Sequence, residues 1–418
     1  MIRRLQFLAI ATILVVASFS TGQPFLFYLL YLAILVVGGS YVLVRLGLSD
    51  LEAGYAVSQL HGYVGDRMRV TYTLRNASRV PKPWLEVHNP TTLPGGLPGR
   101  ALPLGGRAER SWLIRAPLTR RGHFRIEPLH IRTGDPFGFF EASATVGQGV
   151  SVVVYPRLEA LPAWRLPPAS LEGSHAAPER TLQTTPLATT VRPYAPGDSM
   201  NRIHWRSTAR HGDIQVKEFD LEQTADAWII LDLQRSIQAG RGDDSTTEVA
   251  IRAAASIADK ALTENRAVGM TVNAGRTAFL PADRGGRQHQ KIMQLLAAVE
   301  ADSSSPLVET LIGSVARLRR GMTAVVITAS SDPAWVRPLA ALRTRGVACV
   351  VVALDGPAFV QAELEARAAT TGEPVVVDPA AADTSAKRAR ALRHALAEYE
   401  LRSFTIRPGR PLGEMLAR

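Results

Sequence analysis

The first fifty residues carry two long apolar runs. Residues 5–22 and residues 25–44 contain no charged side chain. Each run is close to the length of about 20 residues that a helix needs to cross the ~30 Å hydrocarbon core of a bilayer. Only Gln23 and Pro24 separate the runs. The pattern therefore predicts a transmembrane helical hairpin over residues 1–48.

Basic residues flank this hairpin on one side only. Arg3 and Arg4 precede the first run and Arg45 follows the second, whereas the turn between them has no Lys or Arg. Positive-inside asymmetry then places both ends in the cytosol, at the inner (cytoplasmic) membrane. A cleaved signal peptide is the competing interpretation, since small residues lie near positions 18–20. With either interpretation, the chain after Arg45 is expected in the cytosol.

Residues 49–157 alternate apolar and polar positions with period two. The clearest runs are 67–74, 111–118 and 151–158, and Gly, Pro and Asn divide them. Many short alternating runs with frequent turns predict a β-sandwich domain of immunoglobulin-like type.

Residues 226–400 show a different pattern, in which apolar runs of strand length alternate with segments of helical spacing. The predicted strands are 227–233, 267–274, 323–330, 347–354 and 374–378, and the predicted helices are 248–264, 289–299, 307–319, 333–345, 359–370 and 389–399. Continuously apolar strands that alternate with helices predict an α/β domain with a doubly wound parallel sheet. Residues 401–418 are predicted to form an exposed basic tail.

Ligands of such sheets bind beyond the carboxyl ends of the strands. The polar residues at those ends are the candidate binding positions: Asp232, Ser236, Ser330, Ser331, Asp332 and Asp355.

Residues 158–225 connect the two globular domains. Residues 158–190 are rich in Pro, Ala, Ser and Thr, which predicts an extended linker. In the denser stretch that follows, Pro196-Gly197 indicates a turn and Asp198 is expected to cap a helix that begins at Ser199. That helix is predicted to end at Gly212, before a strand over residues 214–219.

The predicted helix carries residues that admit two interpretations. His204 and Asp198 could form a catalytic pair. Alternatively Asp198, Arg202, Trp205 and Arg210 fix the linker to the next domain, and the sequence favours this second interpretation because no nucleophile stands in a recognisable setting.

Composition narrows the function classes further. The formal net charge is +11 and the chain has a single cysteine, which excludes an intrachain disulfide and a cysteine-rich metal site. Cys349 lies in the apolar run GVACVVVAL and is expected to be buried. Seven Arg between residues 100 and 125 suit either anionic lipid headgroups or a solvated face. They come without the aromatic pattern of a nucleic-acid binder.

Several enzyme signatures are missing from the sequence. It contains no Gly-Lys dipeptide and hence no P-loop, no His-Glu-x-x-His run and no Gly-x-Ser-x-Gly elbow. We therefore expect a protein that is not an enzyme and that has no cofactor, apart from the metal site considered below.

Four stretches of the sequence resemble one bacterial family. They are TRRGHF (119–124), GDPFGFF (134–140), VVVYPR (152–157) and RPYAPGDSMNRIHWRSTARHGDIQVKEF (192–219). Together they resemble the family called domain of unknown function 58. The resemblance implies a C-terminal domain similar to von Willebrand factor type A and a partner among the MoxR-type AAA+ ATPases. It also marks a motif for interdomain or partner docking: Arg192, Tyr194, Pro196, Gly197, Asp198, Arg202, His204, Trp205 and Arg210.

Metal-binding type A domains use an Asp-x-Ser-x-Ser run after the first strand, with a Thr and an Asp from later loops. Here Gln234 replaces the first Ser, and the segment that should supply the Thr, residues 281–288, contains none. The resemblance thus implies at most a degenerate Mg²⁺ site at Asp232, Ser236 and Asp332.

The sequence as a whole predicts a membrane-anchored interaction protein that serves as adaptor or substrate of a MoxR-type ATPase. The alternatives are a receptor module that depends on a divalent metal and, less favoured, an uncharacterised hydrolase that uses His204 and Asp198. The oligomeric state stays open.

Overall fold

The computed structural model describes residues 2–167, 190–195, 198, 200–218, 226–371 and 379–417. The chain divides into two compact units. The first comprises Met1–Arg157 with Met293–Ala298, and the second comprises Leu158–Ile292 and Val299–Arg418.

The first unit begins with two helices, α1 (Ile2–Thr21) and α2 (Pro24–Gly47). The two helices touch near their junction, where the Phe19 and Phe27 rings meet edge to face at 5.4 Å. Within the described part of the chain, α2 is long and apolar enough to cross a membrane, with a mean hydropathy of 2.2 over its best window. The apolar stretch of α1, Ile10–Thr21, is shorter.

Ten strands follow the two helices: β1 (Leu51–Val57), β2 (His61–Tyr63), β3 (Arg67–Asn76), β4 (Lys82–His88), β5 (Arg100–Leu104), β6 (Glu109–Pro117), β7 (Gly122–Ile126), β8 (Leu129–Gly134), β9 (Glu141–Val146) and β10 (Val150–Tyr155). They form sheets of order β1-β3-β6, β5-β4-β8-β9 and β2-β10-β7, and every pair is antiparallel except β2 with β10. Buried side chains from all three sheets share one core.

The alternation of apolar and polar residues in the sequence determines which side chains form this core. Along β3, every second side chain is buried, including Met68, Val70, Tyr72 and Leu74. Because successive side chains of a strand point to opposite faces, this period of two places one apolar face inward. The predicted β-rich domain is confirmed.

Lys82 fixes α2 to this domain. Its side chain is buried, and Nζ donates to the carbonyl oxygens of Leu46 (2.6 Å) and Ser49 (2.7 Å) at the end of the helix. A cation at a helix C-terminus is stabilising because it satisfies carbonyls that have no partner within the helix. The close approach continues at Gly47, where a Cβ would lie 2.8 Å from the Thr133 methyl group.

Replacing Lys82 by Met is expected to destabilise this unit by about 1–2 kcal/mol, because both carbonyls lose a charged donor, although that of Leu46 still accepts from the N–H and hydroxyl of Ser49. Lys260→Met is the control. Lys260 pairs with Glu264 across one turn at a half-exposed site, and its loss should cost no more than about 0.5 kcal/mol. Denaturant unfolding of the full chain in detergent measures both values, and equal losses would contradict this role of Lys82.

The second unit begins where the sequence predicted an extended linker. Residues 158–167 form neither helix nor strand, but they pack on the α/β domain. Glu159 pairs with Arg252 at 3.3 Å and accepts from the Leu412 N–H, and the Trp164 ring is buried with its centroid 4.9 Å from that of Phe404. The first ten residues of the predicted linker are thus part of the domain. Residues 168–189 lie outside the described residues.

The motif segment contains β11 (Thr190–Pro193), α3 (Trp205–His211) and β12 (Gln215–Glu218). The α/β domain then contains β13 (Ala227–Asp232), α4 (Thr246–Thr263), β14 (Val268–Asn273), β15 (Ala278–Asp283), α5 (Gly285–Ala298, of which Met293–Ala298 are grouped with the first unit), α6 (Leu307–Val315), β16 (Thr323–Thr328), α7 (Val336–Arg343), β17 (Ala348–Leu354), α8 (Gly356–Thr371), α9 (Pro379–Glu398), β18 (Arg402–Ile406) and α10 (Leu412–Met415).

One six-stranded sheet of order β15-β14-β13-β16-β17-β18 organises this domain. All neighbours are parallel except β14 with β15. Strands β13, β14 and β16 are buried at every position, as expected for parallel strands covered on both faces. The predicted strands at 227–233, 267–274, 323–330 and 347–354 are confirmed.

Two strands were missed, and both lie at an edge of the sheet. The stretch around residue 281, expected to be a loop, contains β15. The expected basic tail contains β18, which pairs with β17. The prediction of an exposed tail over residues 401–418 was therefore wrong, because its apolar positions Phe404 and Ile406 face the domain and are buried. The predicted strand 374–378 lies outside the described residues.

Candidate functional site

The motif segment is held together by a short antiparallel ladder. Strands β11 and β12 pair with Arg192 opposite Val216. Between them lie a 3₁₀ turn over Met200–Arg202, which contains the backbone of Arg202, and helix α3. The ladder therefore brings the two ends of the segment together and closes it into one local unit.

Asp198 forms an ion pair with Arg192. The guanidinium donates two hydrogen bonds of 2.8 Å, one to each carboxylate oxygen, and the Ala195 N–H donates a third at 2.9 Å. The predicted helix start at Ser199 lies outside the described residues, and the α-helix of the motif begins later, at Trp205. A bidentate ion pair is stronger than a single hydrogen bond to a helix N-terminus, and it holds the carboxylate next to β11. Pro196, Gly197 and Ser199 lie outside the described residues.

His204 takes the capping position. Its Nδ1 accepts from the Ser207 N–H at 3.2 Å and lies 2.7 Å from the Ser207 hydroxyl. Helix α3 thus begins at Trp205, and it ends at Gly212 as predicted, where φ of 81° is in the left-handed region that favours glycine. His204 and Asp198 each have a structural partner of their own, so this geometry does not favour the catalytic pair.

Trp205 lies on the surface. Its side chain is 69% exposed, and Arg206 and Arg210 are exposed on the same short helix. Tyr194, at the end of β11, is also exposed. The expectation that Trp205 locks the linker to the next domain does not fit this exposure. The motif instead builds a rigid frame, through the Arg192–Asp198 pair and the His204 cap, that presents a large aromatic ring to solvent.

Asp232 lies at the end of β13, at the point where the strand order reverses between β13 and β16. It is fully buried. Oδ2 accepts from the Thr328 hydroxyl at 2.7 Å, and Oδ1 accepts from the Asn273 amide at 2.9 Å and from the Gln234 N–H at 3.2 Å. Burial raises the pKa of Asp232 above its ordinary value, and these three hydrogen bonds oppose the shift.

The network extends into the neighbouring loops. Asn273 also donates to the Ser305 carbonyl and accepts from the Ser303 hydroxyl, while Thr328 accepts from the Ser330 N–H. The ends of β13, β14 and β16 are therefore tied by neutral donors around one carboxylate. Asn273 and Thr328 were missed in the sequence, although each is the polar residue that ends an apolar strand, the same signal that identified Asp232.

The predicted metal ligands do not match a metal site. Asn273 directs an N–H at Asp232 where a cation would need an open oxygen, Gln234 donates to the Ser236 hydroxyl at 2.8 Å, and Asp332 accepts from the Ala334 N–H to cap a 3₁₀ turn. In the part of the chain that the structure describes, no group of three or more His, Cys, Asp or Glu could hold a metal ion. The donor set does not fit the Mg²⁺ of a type A domain.

A cavity of about 750 Å³ opens at the same edge of the sheet. Ser236, Ser330, Ser331 and Asp355 line it, which places four of the predicted binding positions around one space. Leu392, Leu396 and Phe404 contribute apolar surface. Asp232 itself is buried beneath this edge and stabilises it.

Four arginines surround the cavity: Arg388, Arg393, Arg407 and Arg410. They face two carboxylates, Asp355 and Glu414, and Arg407 lies 3.3 Å from Asp355. Guanidinium groups recognise carboxylate and phosphate through paired N–H donors. The cavity, which we call the arginine pocket, is therefore suited to an anionic group joined to an apolar one.

Two curated relatives are similar to different shares of the chain. The "Uncharacterized protein YeaD" of Bacillus subtilis is 24% identical over 318 residues, which cover 72% of this chain and 76% of that protein. The "Uncharacterized protein Rv1480" of Mycobacterium tuberculosis is 28% identical over 170 residues, 39% of this chain and 53% of that protein. The chain thus spans about half the length of the mycobacterial relative.

Two of the matching solved structures show a distant likeness. The CARDB domain from Pyrococcus furiosus covers 25% of this chain and 92% of its own at 16% identity, with a TM-score of 0.19. Proximal thread matrix protein 1 from the mussel byssus covers 31% of this chain and 38% of its own at 12% identity, with a TM-score of 0.26. Neither likeness is used to assign the fold or the family of this chain.

The family comparison reaches the motif and the α/β domain together. The family described as "Protein of unknown function DUF58" matches residues 190–402, just over half of the chain. This range includes the Arg192–Asp198 pair, the exposed Trp205 and the Asp232 network. The chain belongs to the DUF58 family.

Proposed function

We propose that this chain is a membrane-anchored interaction protein that binds a protein partner through a docking surface centred on Trp205. The observation that carries the proposal is the 69% exposure of this ring on a helix fixed at both ends. Tryptophan is enriched at the energetic centres of interfaces, where its large apolar ring becomes buried against the partner.

The α/β domain of this proposal is of the von Willebrand type A kind. Its six strands, numbered along the chain, follow the order 3-2-1-4-5-6 with the third antiparallel, an order typical of doubly wound sheets. The resemblance in the motif supports the narrower assignment. The mostly antiparallel sheets of the first unit, around one core, support an immunoglobulin-like β-sandwich.

Both N-terminal helices are proposed to cross the inner membrane, with the globular domains in the cytosol. The contact between α1 and α2, and Arg45 as the basic residue in the last turn of α2, support this topology. A phosphatase reporter fused to the C-terminus should be inactive, because the enzyme acts only in the periplasm. Strong phosphatase activity would show that the C-terminus lies in the periplasm and would contradict the proposed orientation.

The partner implied by the family resemblance is a MoxR-type AAA+ ATPase, for which the chain serves as adaptor or substrate. The test is co-purification of the full chain from a detergent extract with the ATPase held in its ATP-bound state. The proposal expects about one ATPase assembly to co-purify with each copy of the chain when the ATPase is bound to ATP. Much less should co-purify without nucleotide. No enrichment in either state would contradict this choice of partner.

The arginine pocket adds a charge requirement to the proposed complex. Because it carries more guanidinium groups than carboxylates, we expect it to receive an acidic segment of the partner. Reversing one charge, Arg393→Glu, removes an attraction and adds a repulsion, and it should weaken the complex about tenfold.

Arg390→Glu is the matched control for this charge reversal. Arg390 and Arg393 lie on α9, and each donates Nε to the backbone carbonyl four residues earlier at 3.3 Å. Arg393 lines the pocket and Arg390 is not among its lining residues. Equal weakening by the two variants would show that the overall charge of the domain matters and that the pocket does not.

A further inference from the structure

Three phenylalanines lie in one short loop of the membrane-proximal unit. Phe137, Phe139 and Phe140 belong to the connection between β8 and β9, within the GDPFGFF stretch noted in the sequence. Phe137 is 58% exposed and the other two rings are half-buried. So much aromatic surface at the tip of a hairpin calls for an apolar environment.

The loop is rigid. The buried carboxylate of Asp135 accepts from the Phe137 N–H at 2.9 Å and from the Phe140 N–H at 2.6 Å. Burial alone would raise the pKa of Asp135, but these backbone donors outweigh it and hold the pKa below its usual range. Gly138, with φ of 77°, closes the turn in the left-handed region. The aromatic rings are thus presented by a fixed turn.

The loop runs along α2. The Phe140 ring meets the Tyr41 ring edge to face, with centroids 5.6 Å apart. Farther along the helix, Phe137 and Phe139 join Leu32 and Val36 around a cavity of about 660 Å³ that Leu14 of α1 also lines. Every residue that lines this cavity is apolar.

The position along α2 gives the depth of the loop. Arg45 is the first charged residue at this end of the helix. At a rise of 1.5 Å per residue, Tyr41 lies about 6 Å and Val36 about 14 Å beyond Arg45, towards the middle of the apolar segment. One leaflet contributes about half of the ~30 Å hydrocarbon core. The aromatic loop is therefore level with the acyl chains of the leaflet that contains this end of α2.

We propose that the Phe137–Phe140 loop inserts into the lipid bilayer beside α2 and that acyl chains fill the apolar cavity between loop and helices. The inference rests on the membrane anchoring proposed above and adds a second attachment point. Lipid is favoured as the occupant because the cavity opens on the exposed apolar surface of α2 and offers no polar side chain that a soluble ligand could bind. Two attachment points fix the orientation of the β-domain relative to the membrane.

The chain itself provides a clean labelling background. Its single cysteine, Cys349, is buried, and burial raises the pKa of its thiol to about 12, so it stays unreactive in the folded protein. The full chain is reconstituted into phosphatidylcholine vesicles with one new cysteine that carries an environment-sensitive fluorophore. The positions are Phe137→Cys in the loop, Val42→Cys on the exposed face of α2 and Leu113→Cys on β6 of the same domain.

The proposal expects nitroxide groups on the acyl chains to quench the label at position 137 about as strongly as the label at 42 and several-fold more strongly than the label at 113. If aqueous iodide quenches the labels at both 42 and 137, the membrane anchoring itself is contradicted.

If the lipid nitroxides quench the label at 42 while iodide quenches the label at 137, only the insertion of the loop is contradicted. A label at 137 that neither reagent reaches would show that protein covers the loop, and would equally overturn the proposal; Phe139→Cys repeats the measurement if the first variant does not fold.

Discussion

Replacing Asp232 by alanine is expected to destabilise the α/β domain by about 3–5 kcal/mol, the largest stability effect predicted for this chain. The Thr328 hydroxyl, the Asn273 amide and the Gln234 N–H would each lose an acceptor at a fully buried side-chain position. Removing the carboxylate also relieves the cost of burying it, but three unsatisfied donors outweigh that relief. Hydrogen exchange of the strand amides over residues 227–232, in the full chain, gives the local stability.

Asp232→Asn separates the loss of charge from the loss of the acceptor. Its carbonyl oxygen can still accept from Asn273 and from the Gln234 N–H, so the variant should lose less than half of the stability that Asp232→Ala loses. Equal losses in the two variants would contradict the assigned hydrogen bonds.

The two variants also differ in pH dependence. Because burial raises the pKa of Asp232 above 3.8, the folded domain binds the proton more tightly than the unfolded chain. The contribution of Asp232 to stability is then fully present below pH 3.8 and falls as the pH rises through the raised value. The Asp232→Asn variant has no carboxylate to titrate, so its stability does not decrease in this way. The difference in stability between the variant and the native chain should therefore shift in favour of the variant from about pH 4 upward. Parallel curves would show that the carboxylate titrates alike in both states.

Replacing Trp205 by alanine is expected to weaken the complex with the proposed ATPase at least about 30-fold, which corresponds to about 2 kcal/mol. The stability of the chain should change by less than about 0.5 kcal/mol, because a ring 69% exposed contributes little to folding. The two readouts separate a binding role from a structural one. They are measured as the affinity for the purified ATPase in its ATP-bound state and as the unfolding midpoint.

Ile312→Ala is the matched control for Trp205. Ile312 is an apolar side chain on α6 with an exposure of 61%, close to that of Trp205. It should leave the affinity unchanged. If Trp205→Ala unfolds the chain, or weakens binding no more than Ile312→Ala does, the docking surface is wrongly placed.

The strand predictions were confirmed where burial produces a clear pattern of apolar residues in the sequence. The run AWIILDL predicted β13 because both faces of a parallel strand are covered, and the alternation of residues 67–74 predicted β3 because only one face is. The edge strands were missed for the converse reason. In β15 the side chains alternate between half-buried and exposed, and in β18 only Phe404 and Ile406 are buried, so neither strand shows a continuous apolar run.

The candidate site was predicted in outline and missed in its contacts. The rule that ligands bind beyond strand ends correctly grouped Ser236, Ser330, Ser331 and Asp355 around one cavity. It could not show that Asp232 is buried beneath them, since Asn273 and Thr328 are distant in sequence and meet Asp232 only through the strand order. Similarly, Asp198 had a plausible local partner at a helix start, and the stronger partner, Arg192, lies on a strand that precedes it.

Cross-linking from position 205 tests the docking surface most directly. A photoreactive phenylalanine analogue replaces Trp205 in the full chain, in living cells, and a second strain carries it at Ile312. We predict that the MoxR-type ATPase is the main protein attached at position 205 and is not attached at position 312. Attachment of the ATPase equally from both positions, or from neither while both variants are folded, would contradict the claim that this protein binds its partner through the Trp205 surface.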